Sequence, residues 1–149
     1  MKLPLIISAC LLGHNTKYNG KNNYNEKTKI LSEYFEFIVI CPESEGGLPT
    51  PRDPSEIVGS KVLSCNGTDV TYNYNKGAQI ALEKALNAKA KYALLKSKSP
   101  SCGKNKVYDG TFTGTLIDGN GITASLLMKN NIEVYTEDEI DLLLTKICK

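Results

Sequence analysis

A single histidine, His14, in a chain of 149 residues gives little support to a Ser-His-Asp hydrolase or a histidine-rich metal mechanism. There is no C-x-x-C pair, which argues against a zinc ribbon and a thioredoxin-like redox motif. No Walker A string is present. No G-x-G-x-x-G follows the first apolar run, and Gly13 and Gly20 are too far apart for that fingerprint. No stretch approaches the length of a membrane span, so no membrane partner is expected. The net charge is only +2, without the clustered basic face of a nucleic-acid binder, so nucleic acid is not an expected partner either. Ile7-Ser8-Ala9-Cys10 looks like the end of a lipoprotein signal, but the apolar run before it is short and broken by Pro4. It reads better as a first strand. Five cysteines is an odd number and does not suit a secreted disulfide framework; reduced thiols in the cytoplasm fit best.

What is present is an ordinary globular composition, 41% apolar and 23% charged, read as one domain over residues 1–149. Residues 4–9 read as a buried strand, 26–35 as a short helix and 37–40 as a second strand whose unbroken apolar run suits a parallel sheet. Lys61 to Thr71 resembles a hairpin turning at Asn66-Gly67. Residues 74–89 form the clearest helix, with Ala78, Ala81, Leu82, Ala85 and Leu86 on one face. A third strand is expected over 92–96, a helix over 122–130 and a fourth strand over 132–135. Thr136-Glu137-Asp138-Glu139 matches a capping box opening a last helix. The fold expected is α/β: a Rossmann-like three-layer arrangement with a parallel sheet of about four strands, a small hairpin and a long Gly-rich loop. That loop, Gly103 to Gly121, holds five glycines and little regular pattern. Structureless segments of such length are uncommon unless functional, so it is expected to wall or cover the site.

Three cysteines follow three expected strands: Cys10 after Leu5–Ala9, Cys41 after Phe37–Ile40, and Cys102 after Tyr92–Leu95 and a short polar stretch. In an open α/β sheet, ligands bind at the carboxyl ends of the strands. Three thiols distant in sequence could therefore meet at one edge as a metal or cluster site, Cys10, Cys41 and Cys102 being the ligands. Thiolates suit zinc or iron–sulfur clusters, and three ligands leave one position open. The plainer reading is that each is a small buried residue. Cys65 and Cys148 follow no parallel strand and are read as structural or incidental.

Four of the six prolines fall within Cys41–Pro54, which makes that loop rigid yet irregular. Glu43 and Glu45 lie in it, and a carboxylate beside a cluster could act as general base on water. The plainer role is capping or pairing with Arg52. Ser99 and Ser101 flank Pro100 before Cys102; either could orient substrate or relay a proton, although turn serines more often bond their own backbone. Asp109 reads as a turn residue, and His14 as an exposed loop residue rather than a fourth ligand. Lys96, Lys98, Lys104 and Lys106 bracket Cys102 and could serve an anionic ligand, or could simply be solvated.

Together these strings resemble the TudS-type thiouracil desulfidase family. The resemblance rests on Ser8-Ala9-Cys10-Leu11-Leu12-Gly13, on Cys41-Pro42-Glu43 through Gly46-Gly47-Leu48-Pro49-Thr50-Pro51-Arg52, on Lys96-Ser97-Lys98-Ser99-Pro100-Ser101-Cys102-Gly103 and on Tyr108-Asp109-Gly110-Thr111-Phe112. It implies a [4Fe-4S] cluster on Cys10, Cys41 and Cys102, with Glu43 and Ser101 as the catalytic pair and Glu45 and Ser99 as alternates. It also implies a hydrolytic, non-redox removal of sulfur from thiouracil or a thiouridine nucleotide such as 4-thio-UMP. The thiocarbonyl sulfur would bind the open iron while Glu43 activates water. Two other readings stay open: a non-catalytic iron–sulfur or metal-binding module, such as a sulfur carrier or sensor, and a zinc hydrolase with three cysteine ligands. The sequence is silent on oligomeric state.

Overall fold

The computed structural model describes residues 2–147; Cys148 lies outside the described residues. The apolar runs become strands. β1 (Leu3–Ser8) lies between β2 (Phe35–Ile40) and β5 (Tyr92–Leu95), parallel to both, and β8 (Glu133–Thr136) continues the sheet beside β5. The order is β2-β1-β5-β8. Leu5, Ile6, Ile7, Ala93, Leu94 and Leu95 are wholly buried, because helices cover both faces of the sheet.

Alternation along each strand divides the core in two. Ile6, Ala93, Leu95 and Val134 face α3 (Thr71–Ala88) and α4 (Ile122–Lys129), where Ala81, Ala85, Ala124 and Leu127 receive them. Leu5, Ile7, Leu94 and Tyr135 face α1 (Thr28–Leu31) and α5 (Ile140–Ile147), packing on Leu31, Ile140 and Leu143. This is the three-layer arrangement expected.

Three local expectations are corrected. The hairpin pairs β3 (Ser55–Val58) with β4 (Lys61–Ser64), turning at Gly59-Ser60. Asn66-Gly67 does turn the chain, but only into a single bridge between Leu63 and Asp69. The helix expected over 26–35 is one turn long, since Phe35 and Glu36 already belong to β2. The Gly-rich segment is not structureless: β6 (Lys106–Tyr108) and β7 (Leu116–Asp118) form an antiparallel hairpin within it. α3 also starts three residues earlier than its apolar periodicity, at Thr71. The Asp69 carboxylate accepts the Thr71 N–H at 2.9 Å, and Thr71 Oγ1 accepts the Val62 N–H at 2.9 Å. The capping box is present, with Thr136 and Glu139 each bonded to the other's end of the turn.

Two glycines bring the site-bearing loop onto the core. A short helix, α2 (Pro42–Glu45), follows Cys41 and lies on α3. A Cβ at Gly77 of α3 would fall 1.9 Å from the Pro42 carbonyl oxygen, and one at Gly46 would fall 2.0 Å from the Asn73 carbonyl oxygen. Only residues lacking Cβ allow this approach. Among the described residues no helix is long and apolar enough to cross a membrane.

Candidate functional site

From β1 the chain passes outward to β2, then returns across β1 to β5 on its other side. The strand order therefore reverses at β1, and the crevice beyond the strand ends there is where α/β sheets place ligands. A cavity of about 660 Å³ opens at this point. Its wall includes Ser8, Cys10, Cys41, Glu43, Arg52 and Cys102. All three expected thiols are thus on one cavity, each carried past the end of a different strand.

Cys10 sits in the 3-10 turn Ala9–Leu12 directly after β1, Cys41 at the N-terminus of α2, and Cys102 in the loop after β5. Cys10 and Cys41 are half-buried and Cys102 is buried. The three feel one another electrostatically: Cys41 acts on Cys10, and both act on Cys102. Burial raises the Cys10 pKa, with a hydrogen bond from Asn23 opposing it. Burial pushes Cys102 much further up, the Glu43 charge adds to this, and a bond from Ser8 opposes it. The Cys10 and Cys102 thiols therefore favour the protonated form until a cation displaces the proton.

The donor set fits a cluster better than a lone ion. Among the described residues, no three His, Cys, Asp or Glu side chains converge tightly enough to hold a single metal ion. Zinc requires sulfurs at about 2.3 Å from one centre. An iron–sulfur cube takes each cysteine on a different iron, and so accepts sulfurs set wider around a common cavity.

Glu43 lines the cavity and faces Arg52, with Nη2 3.6 Å from its carboxylate. Both side chains are nearly enclosed, at 15% and 8% exposure. Burial pushes the Glu43 carboxyl above the usual range, and Arg52 pulls part of that back. The guanidinium is itself fixed by the Pro49 and Thr16 carbonyls at 3.3 and 3.0 Å and by Thr50 Oγ1 at 3.0 Å. The pairing weighed as the plainer role is real, yet it lies inside the cavity. Glu45 points elsewhere: it accepts the Cys41 N–H at 2.9 Å and pairs with Lys84 at 2.6 Å.

Ser101 is a correction. It is fully buried, bonded to Thr123 Oγ1 at 2.8 Å, and does not line the cavity. Its carbonyl accepts the N–H groups of Thr123 and Ala124, so it anchors the start of α4. Of the two candidates, Ser99 is the serine on the wall. Its oxygen accepts the N–H groups of Ser101 and Cys102, each at 3.1 Å, which leaves the hydroxyl proton for the cavity.

The lysine cluster is mostly spoken for. Lys96 pairs with Glu137, Lys104 with Glu139 and Lys106 with Asp118. Among the described residues, Lys98 and Lys17 line the cavity and form no ion pair. The Gly-rich segment does wall the site, through Tyr108, Phe112 and Gly114. Glu56 holds that wall: its carboxylate accepts the Gly110 and Phe112 N–H groups at 2.9 and 3.2 Å. Asp109 bonds Thr111 as a turn residue, and His14 is exposed and off the cavity. Cys65, read as incidental, is exposed on the cavity wall. Sequence reasoning missed Ser8, Asn23 and Tyr74 as site residues. Of these only Ser8 carried a signal, its place at the end of a buried strand.

The family model described as 2-thiouracil desulfurase matches residues 5–139. The Bacillus subtilis (strain 168) uncharacterized protein YbbK is 37% identical over 147 residues, 92% of this chain and 97% of that one. The solved structure of a [4Fe-4S]-dependent thiouracil desulfidase, TudS, superposes with a TM-score of 0.90 at 38% identity, covering 98% of this chain and 100% of that one.

Proposed function

The chain belongs to the 2-thiouracil desulfurase family, and from that premise we propose that it is a [4Fe-4S]-dependent desulfidase acting on a thiolated pyrimidine. The substrate is thiouracil or a thiouridine nucleotide such as 4-thio-UMP. Water's oxygen replaces the sulfur, so the products are the carbonyl compound and hydrogen sulfide, with no net redox change. The observation that carries this reading is the meeting of Cys10, Cys41 and Cys102 with the Glu43–Arg52 pair on one cavity.

The three cysteines would hold the cluster. When bound, a cluster with three protein ligands supplies one iron as a soft Lewis acid for a thiocarbonyl sulfur. The remaining chemistry belongs to the chain. Glu43 is the cavity carboxylate whose charge acts on Cys10 and Cys102, so it is the candidate base beside the group they would hold. It takes one proton from water as the oxygen adds to the thiocarbonyl carbon and passes it to the sulfur. As the C–S bond breaks it takes the remaining hydroxyl proton, the C=O bond forms, and that second proton goes to the departing sulfide to give hydrogen sulfide. Arg52 fixes the carboxylate and, being always charged, keeps it competent as a base despite burial. Ser99 replaces Ser101 as the hydroxyl that orients substrate from the wall. Tyr108 and Phe112 offer faces for a pyrimidine ring. Lys17 and Lys98 suit a nucleotide phosphate.

The test is anaerobic reconstitution with iron and sulfide analysis, then sulfide release from 2-thiouracil, 4-thiouracil and 4-thio-UMP. A brown protein with four irons that releases sulfide supports the reading. A cluster-loaded protein inert on every substrate makes it a non-catalytic module, and a colourless zinc protein removes the cluster altogether.

A further inference from the structure

Each of the three thiols has a neutral hydrogen-bonding side chain beside it. Ser8 ends β1 and is buried. Its oxygen accepts the Lys96 N–H at 3.1 Å, and its proton is directed at Cys102 Sγ, 3.5 Å away. Asn23 stands beside Cys10 on the cavity wall, where its side chain lowers the thiol's pKa against the effect of burial. Its backbone N–H donates to the Cys10 carbonyl at 3.0 Å, which clips the polar loop onto the turn carrying that cysteine. The Cys41 thiol donates to Ser44 Oγ at 3.2 Å. A metal ligand is a thiolate. Once Cys41 loses its proton this bond reverses, because the serine hydroxyl rotates freely and serves equally as donor.

We infer that Ser8, Asn23 and Ser44 are positioning residues that hydrogen-bond the three ligand sulfurs and withdraw electron density from the group those sulfurs hold. This rests on the cluster reading above. A hydrogen bond stabilises negative charge on sulfur and weakens its donation to iron, which raises the reduction potential of a cluster. The same withdrawal strengthens the open iron as an acceptor for a thiocarbonyl sulfur. The three donors come from a strand end, a loop and a one-turn helix. All are neutral, so they tune the site without adding charge.

The experiment is a mediator titration of the anaerobically reconstituted protein, followed by electron paramagnetic resonance. The wild type is compared with Ser8→Ala, Asn23→Ala, Ser44→Ala and Ser44→Thr. Each alanine variant shifts the midpoint potential negative, and Ser44→Thr, which keeps the hydroxyl, stays at the wild-type value. Ser44 is exposed, so its variants give an answer even if the buried Ser8→Ala fails to fold. A filler role for these side chains predicts no shift. Unchanged potentials in cluster-loaded alanine variants, or a shift that threonine shares, overturn the inference and leave the desulfidase reading standing. A wild-type protein that takes up no iron or sulfide overturns both.

Discussion

Replacing Gly77 with alanine isolates the contact that seats α2 on α3. The added Cβ would lie 1.9 Å from the Pro42 carbonyl oxygen and 2.6 Å from its carbon. Both are backbone atoms, so no rotamer change relieves the clash. Restoring the tightest separation that real Cβ atoms show, 3.0 Å, moves the two helices apart by at least about 1.1 Å. Overpacking of this kind costs about 1–3 kcal/mol. Alanine in a helix interior returns about 1 kcal/mol relative to glycine, so the net loss is about 0–2 kcal/mol. At about 2–4 °C per kcal/mol, the melting temperature falls by no more than about 8 °C. Function suffers more, because Pro42 lies between Cys41 and Glu43. A displacement of about 1 Å at a reacting group costs on the order of 100-fold in rate. The expected variant is therefore folded but nearly inactive, and poorer in iron after reconstitution. Circular dichroism melting, iron content and sulfide release from 4-thiouracil measure the three quantities separately. Gly46→Ala repeats the test from the other side, at 2.0 Å from the Asn73 carbonyl oxygen. Wild-type turnover in both variants would refute the claim that this close approach sets the positions of Cys41 and Glu43.

Glu43→Gln keeps the fold and cluster uptake but lowers turnover by about two to four orders of magnitude, checked by sulfide release at matched iron content. Ser101→Ala leaves the buried Thr123 hydroxyl without its partner and costs about 1–3 kcal/mol in denaturant unfolding, while the folded fraction keeps its activity. Lys98→Ala raises KM for 4-thio-UMP several-fold and leaves KM for the free base unchanged, read in parallel steady-state assays. Glu137 is penalised by burial, but hydrogen bonds from Lys96 and the Ser97 N–H outweigh this and hold its pKa below the ordinary 4.5. Its stabilising contribution is complete above that ordinary value and is lost as pH falls through the lower folded-state value. Acid unfolding followed by circular dichroism should lose this contribution in Glu137→Gln, which unfolds with a shallower dependence on pH in that range.

The sheet was legible because burial on two faces demands unbroken apolar runs, and Leu5-Ile6-Ile7 and Ala93-Leu94-Leu95 can serve little else. The last helix was legible because its capping box is local chemistry. The hairpin was misplaced by one turn. Asn66-Gly67 is a strong turn signal, but β3 pairs through Glu56, a buried carboxylate whose partners lie more than fifty residues away in the Gly-rich segment. The short strands of that segment, Lys106–Tyr108 and Leu116–Asp118, escaped notice because three-residue strands leave too little alternation to read.

The local order of residues alone pointed to Cys10 and Cys41, since a thiol directly past a buried strand lands at the sheet's carboxyl edge, and to Cys102 as a third that the Lys96–Ser101 loop carries at the same edge. It could not choose between Glu43 and Glu45, or between Ser99 and Ser101. Each pair is two residues apart on a bent segment, where direction depends on what the segment packs against. Packing decides which of each pair faces the cavity. Glu45 is drawn to Lys84 on α3 and Ser101 to Thr123 on α4, while Glu43 and Ser99 are left facing the cavity. Which side chains see the site is a property of partners distant in sequence, and only the folded chain brings them there.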